Sequence, residues 1–400
     1  MKILHILDRS FPNLSGYASR AHYIIQHQKQ LGLTPFVLTS FRHQSATEED
    51  VLEGEKYFRM PSPKQNFLFR LPVLKEILEV HFISKRIEEI VKKEGIDILH
   101  AHSPAILGLA ASKAGKRMRI KVVYEIRAFW EDAAAASHKY SENSLKYKLV
   151  KSLETHVCKK VDQVVTIAEG LRNDLIERGL SAGKIHIVPN GVDHLKFLPT
   201  PINTALANKL GAAGKTVIGY IGTFFDFEGI DNLIEVMFSV ARDKPESFFL
   251  LVGGGETETV VREKFKIQNL PNVCYAGRVP HKEVLDYYSL IDIFVYPRKS
   301  SRVTELTTPL KPLEALAMGK AVICSSVGGL IELVGKDNAL FFPPGNKEKL
   351  KKCIVDLFEN AELRAEFGEK GKAMVLRERA WSQIAKKYVE IYKMLQSTSQ

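Results

Sequence analysis

Between Tyr296 and Gly329 the chain reads YPRKSSRVTELTTPLKPLEALAMGKAVICSSVGG. The stretch gathers two cations, Arg298 and Lys311, two acids, Glu305 and Glu314, and the hydroxyls of Thr307 and Thr308. A strand that feeds a helix start leaves backbone N–H groups unpaired and aimed at one spot, with the positive helix end behind them. Lys311 adds a full charge, and Arg298 supplies a second. Such a place suits an anion. Glu314 lies about one turn further in, where a carboxylate repels phosphate but accepts hydrogen bonds from a vicinal diol such as ribose. Read more plainly, the same residues fit an ordinary βαβ unit with a half-exposed glutamate and a surface lysine.

The positioning elements are legible around this stretch. Ile291 to Val295 is a short β-branched run, a buried parallel strand. A polar loop with Arg298, Lys299, Arg302 and Glu305 follows. Proline at the first helical position and glycine past the end punctuate a helix from Pro312 to Met318. Ala321 to Cys324 is the next strand, and Gly328-Gly329 the next tight turn. The same alternation runs through the chain. Lys2–Leu7, a loop with Pro12, Asn13 and Gly16, a helix from about Ala18 and a strand Pro35–Thr39 open a doubly wound α/β unit. Strands are expected at Gly95–His102, Val122–Tyr124, Asp162–Ala168 and Lys184–Asp193. Pro199 and Pro201 mark a linker. A second series begins with Thr216–Ile221 and continues with Phe248–Val252 and Val273–Gly277. It ends in helices Asn346–Leu357, Glu362–Met374 and Trp381–Leu395.

Further chemistry sits at expected strand ends, where α/β folds place ligands. GIDILHAH puts His100 and His102 on one strand face, with no third metal ligand in register. VVYEIRAFWED runs into Glu125, Arg127, Trp130, Glu131 and Asp132. Trp130 can stack on a sugar face, and the acids can bind hydroxyls. An Arg–Glu pair tying down a loop is the alternative. GTFFDFEG offers the amides of Gly222 and Thr223 as a phosphate cradle. GGGE begins at Gly253, and Arg278 follows a fourth strand end.

The segment PLKPLEALAMGKAVICSSVGG resembles the donor-site signature of retaining glycosyltransferases of family 4, which have the GT-B fold. That family usually carries E-x7-E followed by AMA-x-G-x-PVV. Glu314 matches the second glutamate. Leu306 stands at the first, with Glu305 one place earlier, as in a bacterial exopolysaccharide and exosortase-associated branch reading TELxTPLKPLEAMA. The same branch reads YExRAxWEDA, so Arg127 stands where many members have histidine. The family pattern GRLxxxKG supplies an Arg and a Lys to the donor diphosphate; here Thr223 and Glu228 replace them. The resemblance implies that Gly16 approaches the diphosphate, that His102 closes a strand at the inter-domain cleft, that the loop at Gly253 and the element at Arg278 meet the base, and that the last helix crosses back to the first domain. It implies catalytic roles for Arg127, Arg298, Glu305 and Lys311, and donor contacts for Gly222, Thr223, Thr308, Pro309, Leu310 and Glu314. His102, Glu125, Trp130 and Glu131 fall on the acceptor side.

Composition sets the bounds. Four hundred residues exceed one ordinary core, so two domains are expected: residues 1–195 with the last helix 381–400, and 196–380. The net charge is +11. Thirty basic against 22 acidic residues precede Thr200, so most of the surplus lies in the first half. That favours diphosphates, a phosphorylated acceptor or an anionic lipid surface. Gln65 to Arg86, both basic and aromatic, fits a membrane-surface segment or a helix covering the sheet. Nothing resembles a nucleic-acid module. The four cysteines are scattered without metal spacing, so reduced thiols and no zinc are expected. No apolar run reaches a membrane span, and MKILHILDRSF reads as a first strand rather than a signal peptide. A cytoplasmic protein, peripheral at the inner face of the plasma membrane, is expected.

These observations give two facing doubly wound domains. The expected reaction moves a sugar with retention from a UDP- or GDP-sugar to a glycan or lipid-linked acceptor, without a metal or other cofactor. Two alternatives stay open: a sugar-nucleotide epimerase of the same architecture, and a non-catalytic nucleotide-sugar-binding protein.

Overall fold

The computed structural model describes residues 1–11, 16–43, 47–52, 54–61 and 72–397. The loop residues Pro12 and Asn13, and the first part of the aromatic stretch at 65–71, lie outside the described residues. The chain divides into two compact units, Met1–Pro189 with Trp381–Gln400, and Asn190–Ala380. The division falls ahead of the prolines that the sequence offers as a linker.

The first unit begins β1 (Lys2–Leu7), α1 (Gly16–Gln30), β2 (Thr34–Thr39) and a small hairpin of β3 (Glu49–Leu52) and β4 (Glu55–Arg59). It continues α2 (Pro72–Glu94), β5 (Ile98–His102), α3 (Ala105–Met118), β6 (Lys121–Ile126), α4 (Trp130–Ala136), α5 (Leu145–Lys160), β7 (Gln163–Thr166), α6 (Glu169–Glu177) and β8 (Ile185–Ile187). The sheet order is β3-β4-β2-β1-β5-β6-β7-β8, parallel except for the β3–β4 pair. Every residue of β5 and all but the first of β1 are buried, so both faces of the sheet are covered. The strand expected over Lys184–Asp193 stops at Ile187, because Pro189 has no N–H to continue a ladder.

The second unit holds α7 (Thr204–Leu210), β9 (Thr216–Thr223), α8 (Ile230–Asp243), β10 (Ser247–Gly254), α9 (Glu258–Ile267), β11 (Val273–Gly277), α10 (Val284–Leu290) and β12 (Ile293–Tyr296). Then come α11 (Arg302–Leu306), α12 (Lys311–Ala317), β13 (Ala321–Ser325), α13 (Gly328–Val334), β14 (Leu340–Phe342), α14 (Lys347–Glu359) and α15 (Ala361–Glu378). Its sheet is wholly parallel, in the order β11-β10-β9-β12-β13-β14. Gly219 sits mid-strand in β9, where an added Cβ would stand 2.8 Å from Ile291 Cδ1. Only glycine lets that side chain close over the sheet.

Two local expectations change. The polar loop after β12 contains a short helix, α11, closed by a capping box between Ser301 and Thr304. Gly328-Gly329 opens α13 rather than a bare turn. The final helix, α16 (Trp381–Ser397), belongs to the first unit, where it buries Trp381, Tyr388 and Tyr392.

Candidate functional site

In the second unit the chain winds outward from β9 through β10 to β11, then returns to β12 on the other side of β9. Strand ends diverge at such a reversal and leave a crevice. β9 ends there in Gly222 and Thr223, and β12 ends in Tyr296, followed by Pro297 and Arg298. At its centre lies Glu228, 3% exposed. Its Oε1 accepts from Arg298 Nη2 at 3.0 Å and Lys311 Nζ at 3.3 Å, and its Oε2 from Arg298 Nε at 3.3 Å. Burial pushes this carboxyl up, but Arg298 and then Lys311 overcome it and hold the pKa down at about 2. Two cations therefore share one permanent anion. Lys311 also donates to Tyr220 Oη at 2.6 Å. Its side chain lies across Gly222, where a Cβ would stand 2.6 Å from Nζ, and keeps 22% of its surface exposed. Burial lowers the lysine pKa while Glu228 pulls it back up. Arg298 Nη1 has no protein hydrogen-bond partner among the described residues.

Glu314 stands on the same short helix as Lys311. Its Oε2 accepts from Tyr288 Oη at 2.5 Å. Burial raises its pKa, opposed by Tyr288, Lys311 and Lys196. The segment leading into α12 is fastened by Asn190, whose amide donates to the Thr308 carbonyl at 2.7 Å and to Thr308 Oγ1 at 3.2 Å. Pro309 and Leu310 are half-buried beside it. Gly253 has φ +136° and packs on the Gly222 carbonyl, closing the ends of β9 and β10 together. Arg278 is 69% exposed and pairs with Glu258 at 3.1 Å, across Gly254.

The Glu305 side chain stands at the start of a different helix. Its Oε2 accepts from the Gly328 amide at 2.6 Å and its Oε1 from Ser300 Oγ at 2.7 Å. It serves as a side-chain cap on α13, with both oxygens engaged within the protein.

In the first unit β1 and β5 flank the other reversal of strand order, and a buried network fills the strand ends. Glu125, 0% exposed, accepts at Oε1 from Arg20 Nε at 3.1 Å and Arg127 Nε at 2.8 Å, and at Oε2 from Tyr388 Oη. Burial raises its pKa, yet Arg20 and Arg127 hold it well below the carboxylate range. Arg127 also donates to the Tyr17 carbonyl at 2.5 Å and to His102 Nδ1 at 2.7 Å. A guanidinium only donates, so His102 Nδ1 must accept and its proton sits on Nε2. That proton goes to His5 Nδ1, 3.1 Å away, and His5 Nε2–H goes to Gln28 Oε1 at 2.8 Å. Gln28 Nε2 donates to Tyr392 Oη at 3.1 Å, and Tyr392 donates to His100 Nδ1 at 2.6 Å. One arginine thus fixes three tautomers. All three imidazoles stay neutral: burial lowers their pKa values, that of His5 to about 3.

His5 is the third imidazole that spacing along the chain does not show. Ligand nitrogens of His5, His100 and His102 lie within 4.8 Å of one another. However, the rings of His100 and His102 are stacked, 4.3 Å apart and 19° from parallel. Stacked rings cannot point their in-plane lone pairs at one ion.

On the expected acceptor side, Glu125 and Glu131 are each 0% exposed. Glu131 accepts from Arg178 at 2.8 Å. His102, 2% exposed, and Arg127 act within the network above. Trp130 is half-buried, with Arg42 over its ring at 5.5 Å, and Gly16 is exposed at the start of α1. The structure therefore unites Gly222, Arg298 and Lys311, with Thr308, Pro309, Leu310 and Glu314 on the adjoining loop and helix. Arg278 and Glu305 stand apart from that cluster. Sequence reading missed Tyr220, Tyr288, Asn190 and Arg20. Only Asn190 had a local signal, its place in the turn-forming run Pro189-Asn190-Gly191.

Two family models cover the chain in succession. Residues 14–195 match Glycosyltransferase Family 4 and residues 203–374 match Glycosyl transferases group 1. Together the two glycosyltransferase models span most of the chain, each a little under half of it. Among curated relatives, an uncharacterized glycosyltransferase of Methanocaldococcus jannaschii is 25% identical over 64% of each chain. A GDP-mannose-dependent monoacylated alpha-(1-6)-phosphatidylinositol monomannoside mannosyltransferase of Corynebacterium glutamicum is 29% identical over 51% of this chain and 55% of its own. The match thus spans between half and two thirds of the length of these relatives. Sucrose-phosphate synthase of Thermosynechococcus elongatus has the same fold, with TM-score 0.76, 19% identity and 99% of each chain covered. HepE of Anabaena, solved in complex with UDP, superposes with TM-score 0.74 and 16% identity over 98% of this chain and 100% of its own. The fold is thus α/β with parallel sheets and GT-B neighbours.

Proposed function

We propose that this protein transfers a sugar from a UDP- or GDP-sugar to a glycan or lipid-linked acceptor, with retained configuration, in bacterial polysaccharide or glycolipid synthesis. The second unit takes the donor and the first the acceptor. One observation carries the reading: Arg298 and Lys311 meet at the β9–β12 crevice, and Glu314 follows Lys311 on the same helix. Such a set fits a diphosphate and its ribose. Helix α12 is only two turns long, so the full charges of Arg298 and Lys311 do the work of neutralising the leaving diphosphate. The amides of Gly222, Thr223 and Leu310 and the Thr308 hydroxyl line the phosphate path, and Glu314 accepts from the ribose hydroxyls. Gly253 and Arg278 border the base. The leaving phosphate itself can take the acceptor's proton, so no enzymic nucleophile is required. The names of the relatives support a transferase over an epimerase.

An anionic membrane is the proposed setting, on its cytoplasmic side. Helix α5 supports it. Leu145 and Leu149 are 73% and 60% exposed, among exposed Lys146, Lys148, Lys159 and Lys160. No described helix is long and apolar enough to cross a membrane, so contact would be at the surface. Co-sedimentation with anionic but not neutral liposomes, lost at high salt, is expected.

The donor reading is tested by thermal shift with UDP, GDP, ADP and their sugars. A ligand at 100 times its Kd stabilises by about 2.7 kcal/mol. Glu314→Gln should weaken the nucleotide that shifts the wild type by about 1.5–3 kcal/mol. Unchanged affinity in the folded variant removes Glu314 from the site.

A further inference from the structure

We infer that Glu228 is a positioning residue: it stands in for a ligand anion and holds Arg298 and Lys311 together as a preformed cation pair for the leaving diphosphate. The inference rests on the donor reading above and goes beyond it. The cations come from different elements, Arg298 from the loop after β12 and Lys311 from the start of α12. Two like charges brought this close in a half-buried crevice repel strongly. A single carboxylate between them makes the arrangement stable before any ligand arrives. The geometry shows how the charge is divided. Arg298 grips Glu228 through two nitrogens, at 3.0 and 3.3 Å. Lys311 touches the same carboxylate only once, at 3.3 Å, and its second contact is the neutral Tyr220 hydroxyl. Arg298 is therefore fixed, while Lys311 carries the unspent positive charge. Its partly exposed stem over Gly222 lets the ammonium turn from Glu228 toward a phosphate without leaving the crevice.

The acid is not an unfavourable neighbour of the phosphate but the part that orients its ligands. It does not touch the reacting atoms. A bystander acid and a positioning acid make opposite predictions. If Glu228 merely repelled phosphate, removing its charge would tighten phosphate binding. If it orders the cations, removing it lets them separate, and Lys311 loses the anion that keeps it protonated.

The experiment uses the full chain and titrates UDP and GDP by calorimetry between pH 7 and 10, carrying forward the one that binds. The free nucleoside diphosphate is the leaving group, so it reports the contacts that form as the bond breaks. In the wild type its affinity should fall on the alkaline side as Lys311 deprotonates, and Lys311→Arg should abolish that fall. Glu228→Gln should bind about tenfold more weakly at pH 7, with the alkaline fall beginning at lower pH. Tighter binding with the alkaline limb unmoved overturns the inference. Glu228→Asp, the milder change, keeps the charge but shortens the reach. Several-fold weaker binding with the limb in place is expected, and wild-type affinity in that variant also overturns the inference. The donor reading fails separately: if Lys311→Ala and Arg298→Ala bind the nucleotide as the wild type does, these cations hold no diphosphate.

Discussion

The two units bury the same charge set and use it differently. Around Glu125 stand Arg20 and Arg127; around Glu228 stand Arg298 and Lys311. Each cluster holds one carboxylate against two cations, and each carboxylate is held ionised by them. In the first unit the surplus charge is absorbed by neutral acceptors. Arg20 donates to the carbonyls of Val188 and Pro189, at 2.7 and 2.8 Å, and to Tyr388 Oη at 2.9 Å. Arg127 ends on the Tyr17 carbonyl and His102. In the second unit Lys311 reaches one phenol, and Arg298 keeps a nitrogen without a partner among the described residues. A buried cation whose donors all find protein acceptors is architecture. Arg298 and Lys311 keep donor capacity that no described protein acceptor takes up.

The largest expected effect lies on the architectural side. Arg20→Met strands Glu125 with a single cation and leaves two carbonyls without their donor. Breaking one partner from such a set costs about 3–5 kcal/mol. Urea unfolding should show the first unit melting early, while calorimetry on the folded protein finds UDP or GDP affinity unchanged. A stable variant with lost nucleotide affinity would reverse the comparison. On the ligand side, Lys311→Ala should leave the unfolding midpoint nearly unmoved, because Glu228 keeps Arg298. Turnover, followed as nucleotide released from the sugar donor, should fall on the order of 100-fold, with a smaller effect on donor affinity, since the contact strengthens as the leaving group departs. Turnover within a factor of two would make Lys311 a surface lysine.

Arg127 tests where the boundary between the two behaviours falls. Arg127→Ala frees the Tyr17 carbonyl at the start of α1 and releases the tautomer of His102. Turnover should drop by about tenfold, an estimate from losing one to two hydrogen bonds to a charged group, with nucleotide affinity nearly intact. A comparable loss of nucleotide affinity would move Arg127 to the donor.

Much of this was legible from spacing. The alternation of apolar runs and helices gave the two doubly wound series, because both faces of each central strand are buried. The run from Ile291 to Gly329 placed Lys311 and Glu314 on one helix. The loss of a family diphosphate cation at Glu228, with Lys311 standing at the start of another helix, was also readable. The contacts themselves were not, because sheet order brings together residues far apart in sequence. His5 joins His100 only through the β1–β5 register, and Glu228 meets Lys311 only because β9 neighbours β12. The contact of Glu305 was hidden for a related reason: the start of α13, which its carboxylate caps, was unseen from the sequence.

A pH-dependent effect sharpens the comparison from a third direction. Glu154 in α5 is buried like Glu125 but has no cation at bonding distance. Its Oε1 accepts from Tyr124 Oη at 2.5 Å, and its Oε2 has no partner among the described residues. The nearby Arg178 pairs with Glu131 at 2.8 Å and Asp174 at 2.5 Å, and its Nη2 makes no hydrogen bond among the described residues. Burial therefore raises Glu154 to about 8, and the acid is largely protonated in the fold at pH 7. A folded pKa above the unfolded value gives stability that is complete below the unfolded pKa, near 4.5, and is lost as pH rises toward 8, because the unfolded chain ionises first. Glu154→Gln keeps the shape and carries no charge in either state, so it removes that loss. Its melting temperature should match the wild type near pH 4.5 and exceed it by a widening margin as pH rises to 8. Parallel melting curves across that range would mean that Glu154 is ionised in the fold and that some cation, not burial, governs it. A carboxylate without a partner gives up its charge, whereas one flanked by two cations keeps its own and leaves theirs in surplus.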